Sequence, residues 1–93
     1  MKLSEREFMG MVIDRAKLGR WMVYHTHDSR RSVAGFPDLV LIRPPQLIVV
    51  ELKVGRNVVT PEQNLWLTLF EEANVPAYIW RPTDWPEIES VLR

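Results

Sequence analysis

Two short apolar runs, Asp38-Leu39-Val40-Leu41-Ile42 and Leu47-Ile48-Val49-Val50, flank Arg43-Pro44-Pro45-Gln46, and no other stretch restricts the fold so strongly. Both runs are rich in β-formers, and two consecutive prolines signal a turn rather than a strand. The spacing predicts an antiparallel hairpin. If the turn is centred on Pro44-Pro45 and Ile42 pairs with Leu47, Val40 lies opposite Val49 and Asp38 opposite Glu51. Directly opposed β positions hold their Cβ atoms roughly 5 Å apart, and like charges there are destabilising. A divalent cation would cancel that repulsion. Strand alternation returns Lys53 to the face of Glu51, whereas Leu39, Leu41, Ile48, Val50 and Leu52 make an apolar opposite face. Val40, Ile42 and Val49 accompany the charged residues, so both faces are expected to be largely covered.

A chain of 93 residues with 46% hydrophobic residues and four tryptophans can build one core without staples, and one domain over residues 1–93 is expected. It has no cysteine, which excludes disulfides and thiolate metal sites. No apolar run approaches a membrane-spanning length, and Met1-Lys2-Leu3-Ser4-Glu5 lacks a signal-peptide pattern, so a cytoplasmic location is expected. The zero net charge hides an asymmetry. Residues 1–59 carry ten Lys and Arg against six Asp and Glu, net +4, while residues 60–93 carry two against six, net −4. A local positive surface is therefore available for a polyanion.

Ser4 and Glu7 form a capping-box pattern, which predicts a helix from Glu5 to Lys17 or Leu18, ended by Gly19. Phe8, Met9, Val12, Ile13 and Ala16 share one helical face; Glu5 shares it and Glu7 points nearly opposite. Glu7 reads as the capping carboxylate. Two readings of Glu5 stay open, a favourable charge at the helix N-terminus and a carboxylate directed into a site. Trp21 to Thr26 reads as the first strand, with Trp21, Val23 and His25 on one face. His25 and His27 have the spacing of a shared metal site but no third ligand nearby, and read as strand-end hydrogen-bonding or DNA-contacting residues.

Asp28-Ser29-Arg30-Arg31-Ser32-Val33-Ala34-Gly35 is a polar loop running into the hairpin, where Ser29, Arg30 and Arg31 are placed to meet phosphates. Gly35 and Pro37 fix the backbone entering the strand and so place Asp38. Beyond Lys53, Arg56 sits in a Gly-containing connection and is a further cation available to a polyanion such as nucleic acid. Thr60-Pro61-Glu62-Gln63 opens a second helix with Thr60 as N-cap and Gln63 completing a capping box. Leu65, Trp66, Leu69 and Phe70 are expected to form its apolar face, with Asn74 as C-cap. Ala77 to Trp80 then returns as a strand parallel to the Glu51 strand through a right-handed crossover. Asp84 caps a final helix with Trp85, Ile88, Val91 and Leu92 inward. The order αβββαβα describes an α/β fold, a mixed four-stranded sheet flanked by helices.

Asp38 after Pro37, with Glu51-Leu52-Lys53 about a dozen residues on, resembles the signature of the PD-(D/E)XK nuclease superfamily. The fuller string, with Asp28 to Ser32, Gly35-Phe36-Pro37-Asp38-Leu39 and Pro61-Glu62-Gln63, is similar to the VRR-Nuc family, known as a stand-alone phage domain and as a module of larger repair nucleases. The resemblance covers nearly the whole chain. It implies the restriction-endonuclease-like core and a phage- or prophage-encoded protein. It further implies a Mg²⁺- or Mn²⁺-dependent endodeoxyribonuclease with Asp38, Glu51, Lys53 and Gln63 catalytic. In that arrangement Asp38, Glu51, the Leu52 carbonyl and Glu5, through water, hold the ion, and Lys53 orients and helps deprotonate a water. Gln63 keeps two readings, cap and site residue, which compete if both need its amide donor. Stand-alone members are associated with four-way junctions, and one site per small chain then implies a homodimer. A flap, single-strand or nicking nuclease and a non-catalytic DNA-binding module are the alternatives. No base-reading module is apparent, so recognition through the backbone is expected.

Overall fold

A computed structural model describes residues 2–27 and 33–93. Helix α1 (Glu5–Leu18) leads into strand β1 (Met22–His25), the hairpin β2 (Leu39–Arg43) and β3 (Gln46–Leu52), helix α2 (Pro61–Glu72), strand β4 (Ala77–Trp80), a 3-10 turn at Pro82–Asp84 and helix α3 (Trp85–Leu92). The sheet order is β1-β2-β3-β4. The first two pairings are antiparallel and β4 joins β3 in parallel, as a strand-helix-strand unit requires. The hairpin has the expected register, with Ile42 paired to Leu47 and Val40 to Val49. Register decides everything here, since a slip of one residue would turn each charged side chain into the core.

The apolar face of the hairpin is the core. Leu39, Leu41, Ile48, Val50 and Leu52 pack with Phe8, Val12 and Ala16 of α1, Trp21, Trp80, and Ile88 and Leu92 of α3. Gly19 is required by packing rather than by its φ of −84°, because a Cβ there would strike the Leu92 carbonyl; the left-handed residue after α1 is Arg20. Trp21 Nε1 donates to that same carbonyl at 3.2 Å, tying the two ends of the chain together.

Four expectations are corrected. On α2, Leu65 and Leu69 are exposed and Leu67 is the buried residue. At 100° per residue the inward stripe is Gln63, Trp66, Leu67 and Phe70, a period of three and four that takes a polar residue in with it. Asp84 does not cap α3 with its side chain; Oδ2 instead accepts from Arg81 N at 2.8 Å and closes the intervening 3-10 turn. The second sheet face is covered only in part. Helix α2 spans two strands, β3 and β4, because a helix about 10 Å wide covers about two strands spaced roughly 4.8 Å apart. Val49 and Glu51 are buried there, whereas Met22 and Tyr24 of β1, Ile42 of β2 and Leu47 near the start of β3 stay exposed. The C-cap of α2 is Ala73, with Asn74 left-handed directly after it.

Candidate active site

Asp38 enters the sheet under restraint on every side. Gly35 has φ +91°, and a Cβ added to it would come within 2.5 Å of Glu62 C and 2.7 Å of Gln63 N. Only glycine meets both conditions. Phe36 packs edge-on against Trp66 and Phe70 of α2, at 5.1 and 5.9 Å between ring centroids. The buried Pro37 offers its carbonyl to Thr26 Oγ1 at 3.1 Å, and Thr26 N donates to the Asp38 carbonyl at 3.0 Å. Asp38 Oδ2 then accepts from Leu52 N at 2.8 Å. The aspartate is thus held against the strand that carries Glu51.

Glu51 is 2% exposed and Lys53 is 8% exposed, an unusual depth for ionisable groups. Glu51 Oε2 accepts from Gln63 Nε2 at 3.0 Å and lies 3.5 Å from Lys53 Nζ, while Oε1 is buried with no hydrogen-bond partner. Burial first, and the neighbouring Asp38 charge second, push the Glu51 carboxyl up to about 8, against the opposing pull of Lys53. Once Glu51 gives up that proton, two carboxylates stand beside the one lysine, and the pair then has a net attraction for a cation.

Glu5, Thr26, His27, Asp38, Glu51, Lys53 and Gln63 line one cavity of about 400 Å³. Glu5 reaches it from the first turn of α1, whereas Glu7 completes the capping box with Ser4. Among the described residues no group of three or more His, Cys, Asp or Glu side chains is disposed around one metal position, so Glu5 and His27 stand off from the Asp38–Glu51 pair. Leu52 presents its N–H to Asp38, and in an extended residue the carbonyl leaves the strand on the same side, toward this pair.

Gln63 resolves differently from its sequence reading. Oε1 accepts from Thr60 N at 2.9 Å to make the cap, and Nε2 donates to Glu51. The cap uses the acceptor and the site uses the donor, so the two roles do not compete. Thr26 and His27 were not marked as cavity residues by the sequence. Their signal was their position at the exit of β1, beside the entry to β2. The His25 and His27 rings lie 3.8 Å apart. Ser29, Arg30 and Arg31 lie outside the described residues. Arg56 is exposed and lines a different cavity, with Lys2 and Arg81.

The sequence model of the VRR-NUC domain matches residues 4–83. A solved structure described as a VRR_NUC domain protein superposes with TM-score 0.72 at 23% identity, over 99% of this chain and 87% of that one. No curated protein sequence matches. With most of its length matched by the family's sequence pattern, the chain belongs to the VRR-NUC domain family, a nuclease-type domain.

Proposed function

We propose that the protein is a metal-dependent, structure-selective DNA endonuclease that acts as a homodimer on four-way junctions. The observation that carries the metal dependence is the Glu51 Oε1 atom, buried, without a partner and beside Asp38. A buried carboxylate oxygen left unpaired is costly, and hard divalent cations such as Mg²⁺ and Mn²⁺ prefer oxygen ligands. The residues present fit such an ion. Asp38, Glu51 and the Leu52 carbonyl would hold it, with Glu5 reaching it through water. When bound, the ion supplies Lewis acidity toward a phosphate oxygen and toward water.

The protein's own groups do the rest. Asp38 is fixed by the Thr26 N–H on its carbonyl and the Leu52 N–H on its carboxylate, a preorganised arrangement. Gln63 and Lys53 both address Glu51 Oε2, which leaves Oε1 without a partner and able to take a cation. Lys53, a point charge on a flexible stem, orients the attacking water and stabilises negative charge that grows on the phosphate oxygens. Water forms the new O–P bond in line with the departing 3′-oxygen, which takes a proton and leaves a 5′-phosphate on the other fragment. Paired cutting of a junction needs two such sites, and the exposed apolar side chains of Met22, Tyr24, Ile42 and Leu47 supply a surface for a second copy.

End-labelled four-way junction, flap, single-stranded and duplex DNA, incubated with Mg²⁺ or Mn²⁺ beside an Asp38→Ala control, test this reading. Paired symmetric cuts in the junction, lost in the control, with a dimeric mass at micromolar concentration, are expected. Cuts confined to flaps or single strands, or a monomeric mass, would remove the resolvase and keep the nuclease. Binding without cutting in either metal would overturn catalysis altogether.

A further inference from the structure

A second cavity, of about 580 Å³, is lined by residues that neighbour the candidate active site in sequence, and three of them, Lys2, Arg56 and Arg81, are cationic with no carboxylate among the lining residues. We infer that it is a subsite for backbone phosphates of the DNA strand, to one side of the scissile bond. The inference rests on DNA being the substrate and extends that reading to residues outside the nuclease signature.

Placement is the first argument. Lys2 and Leu3 precede Ser4, the N-cap of α1, and the first residue of that helix, Glu5, lines the active-site cavity. Arg81 directly follows Trp80, whose carbonyl accepts from Lys53 N at 3.0 Å, so it leaves the sheet on the strand beside Lys53. Arg56 is three residues past Lys53 and lies within about 10 Å of it along the chain.

Preorganisation is the second. Arg81 donates through Nη1 to the Gly55 carbonyl and through Nη2 to the Asn57 carbonyl. Its guanidinium, with five N–H donors in a fixed plane, is thereby held over the connection with donors to spare. Gly55, at φ +57°, turns the chain so that Arg56 and Arg81 line the same hollow. Asp84 is the nearby carboxylate, and its Oδ2 already accepts from Arg81 N.

Charge distribution is the third. Glu62, Glu71, Glu72, Glu87 and Glu89 lie on α2 and α3, where a polyanion is repelled. Another cationic group, Lys17, Arg20 and Arg43, lines a different cavity at the C-terminal end of α1. There Arg43 is engaged by the Gly19 carbonyl and the Trp21 ring, and Lys17 is some 18 Å along α1 from Glu5. Among the described residues, Lys2, Arg56 and Arg81 stand together around one hollow, placed to follow a strand away from Asp38 and Lys53.

Fluorescence anisotropy with labelled junction and duplex DNA in EDTA, across a KCl series, tests the subsite. The Lys2→Ala/Arg56→Ala protein keeps Arg81 and both of its carbonyl bonds, and both replaced side chains are exposed. Two lost phosphate contacts should flatten the plot of log Kd against log salt by about 1.8 and weaken binding at low salt roughly tenfold or more. Arg56→Glu should weaken it further, and Lys17→Ala/Arg20→Ala should leave the slope unchanged. An unchanged slope in the first variant, or an equal loss in the far-end control, would overturn the subsite. Wild-type cleavage in Mg²⁺ or Mn²⁺ is scored separately, so a protein that binds through these residues without cutting removes the nuclease reading and keeps the subsite.

Discussion

The two longer helices begin with the same device and use it to different ends. Ser4 and Glu7 close a capping box at the start of α1, and Thr60 and Gln63 close one at the start of α2, with matching bonds of 2.9 to 3.1 Å. At α1 the capping side chain is a carboxylate facing solvent, held below the usual carboxylate range by its bonds to Ser4. At α2 it is an amide, and its second half reaches 3.0 Å to Glu51. A carboxylate can cap as well as an amide. Only an amide can cap with oxygen and still donate to a buried carboxylate. The chemistry of residue 63 is therefore set by what lies below the helix, and that of residue 7 by the helix alone.

Exchanging the two chemistries breaks the comparison most sharply. Gln63→Glu keeps an acceptor for Thr60 N, so α2 should form and circular dichroism should be unchanged. It removes the donor to Glu51 and sets a third carboxylate beside Asp38 and Glu51. Loss of a hydrogen bond that orients a metal-holding carboxylate costs on the order of 10- to 100-fold in activity. A fall of that size in cleavage, with Tm nearly kept, is expected. A variant that cuts at the wild-type rate would show that Gln63 is a cap and nothing more.

The next effect concerns what presses on each first turn. Ser4 and Glu7 are exposed, whereas Gly35 packs directly on the Glu62–Gln63 peptide. Gly35→Ala has to move that peptide and place a Cβ at positive φ, at a combined cost of about 2–4 kcal/mol. Urea unfolding should show the loss, and cleavage should fall further than the folded fraction explains, because Gln63 shifts with its backbone. Gly10→Ala, on the open side of α1, meets nothing within 4 Å and should stabilise slightly.

The two carboxylates also titrate in opposite senses. The Glu51 carboxyl is raised to about 8 from an ordinary 4.5, so the metal-free folded protein holds a proton there that the unfolded chain releases. Its contribution to stability is complete below about 4.5 and is lost as pH rises through about 8. Glu7 is lowered, so its contribution is present above 4.5 and lost as pH falls below its depressed value. In EDTA, Tm should decline between pH 5 and about 8.5, and Glu51→Gln should flatten that decline while abolishing cleavage. Added Mg²⁺ or Mn²⁺ should restore Tm most at the alkaline end, where the proton no longer competes. A flat wild-type profile in EDTA would refute the raised Glu51.

Much of this was legible before any coordinates. The Pro44-Pro45 turn and period-two alternation set the hairpin register, and with it the approach of Asp38, Glu51 and Lys53, because a β pairing leaves no freedom once one pair is known. The Ser4-Glu7 and Thr60-Gln63 spacings named both helix starts. What escaped was tertiary. Leu65 and Leu69 are apolar yet exposed, and composition alone cannot say that Gln63 rather than leucine turns inward. Thr26 looks like an ordinary strand end until its hydroxyl is seen on the Pro37 carbonyl. Arg81 is 25 residues from Arg56, so the cationic cavity exists only after β4 has paired with β3.

The smallest effect completes the exchange at the other helix. Glu7→Gln leaves an oxygen to accept from Ser4 N, removes a negative charge from the first turn of α1, and touches nothing in the cavity. Its stability effect is a weakened interaction between that charge and the positive end of the helix, screened by salt. Tm at pH 7 should fall slightly at low salt and match the wild type at high salt, and the acid-side loss assigned to Glu7 should disappear. Cleavage should be unchanged at every salt concentration. If Glu7→Gln instead lowered cleavage as Gln63→Glu does, the helical carboxylate serving the site would be Glu7 rather than Glu5, and the contrast between the two boxes would collapse.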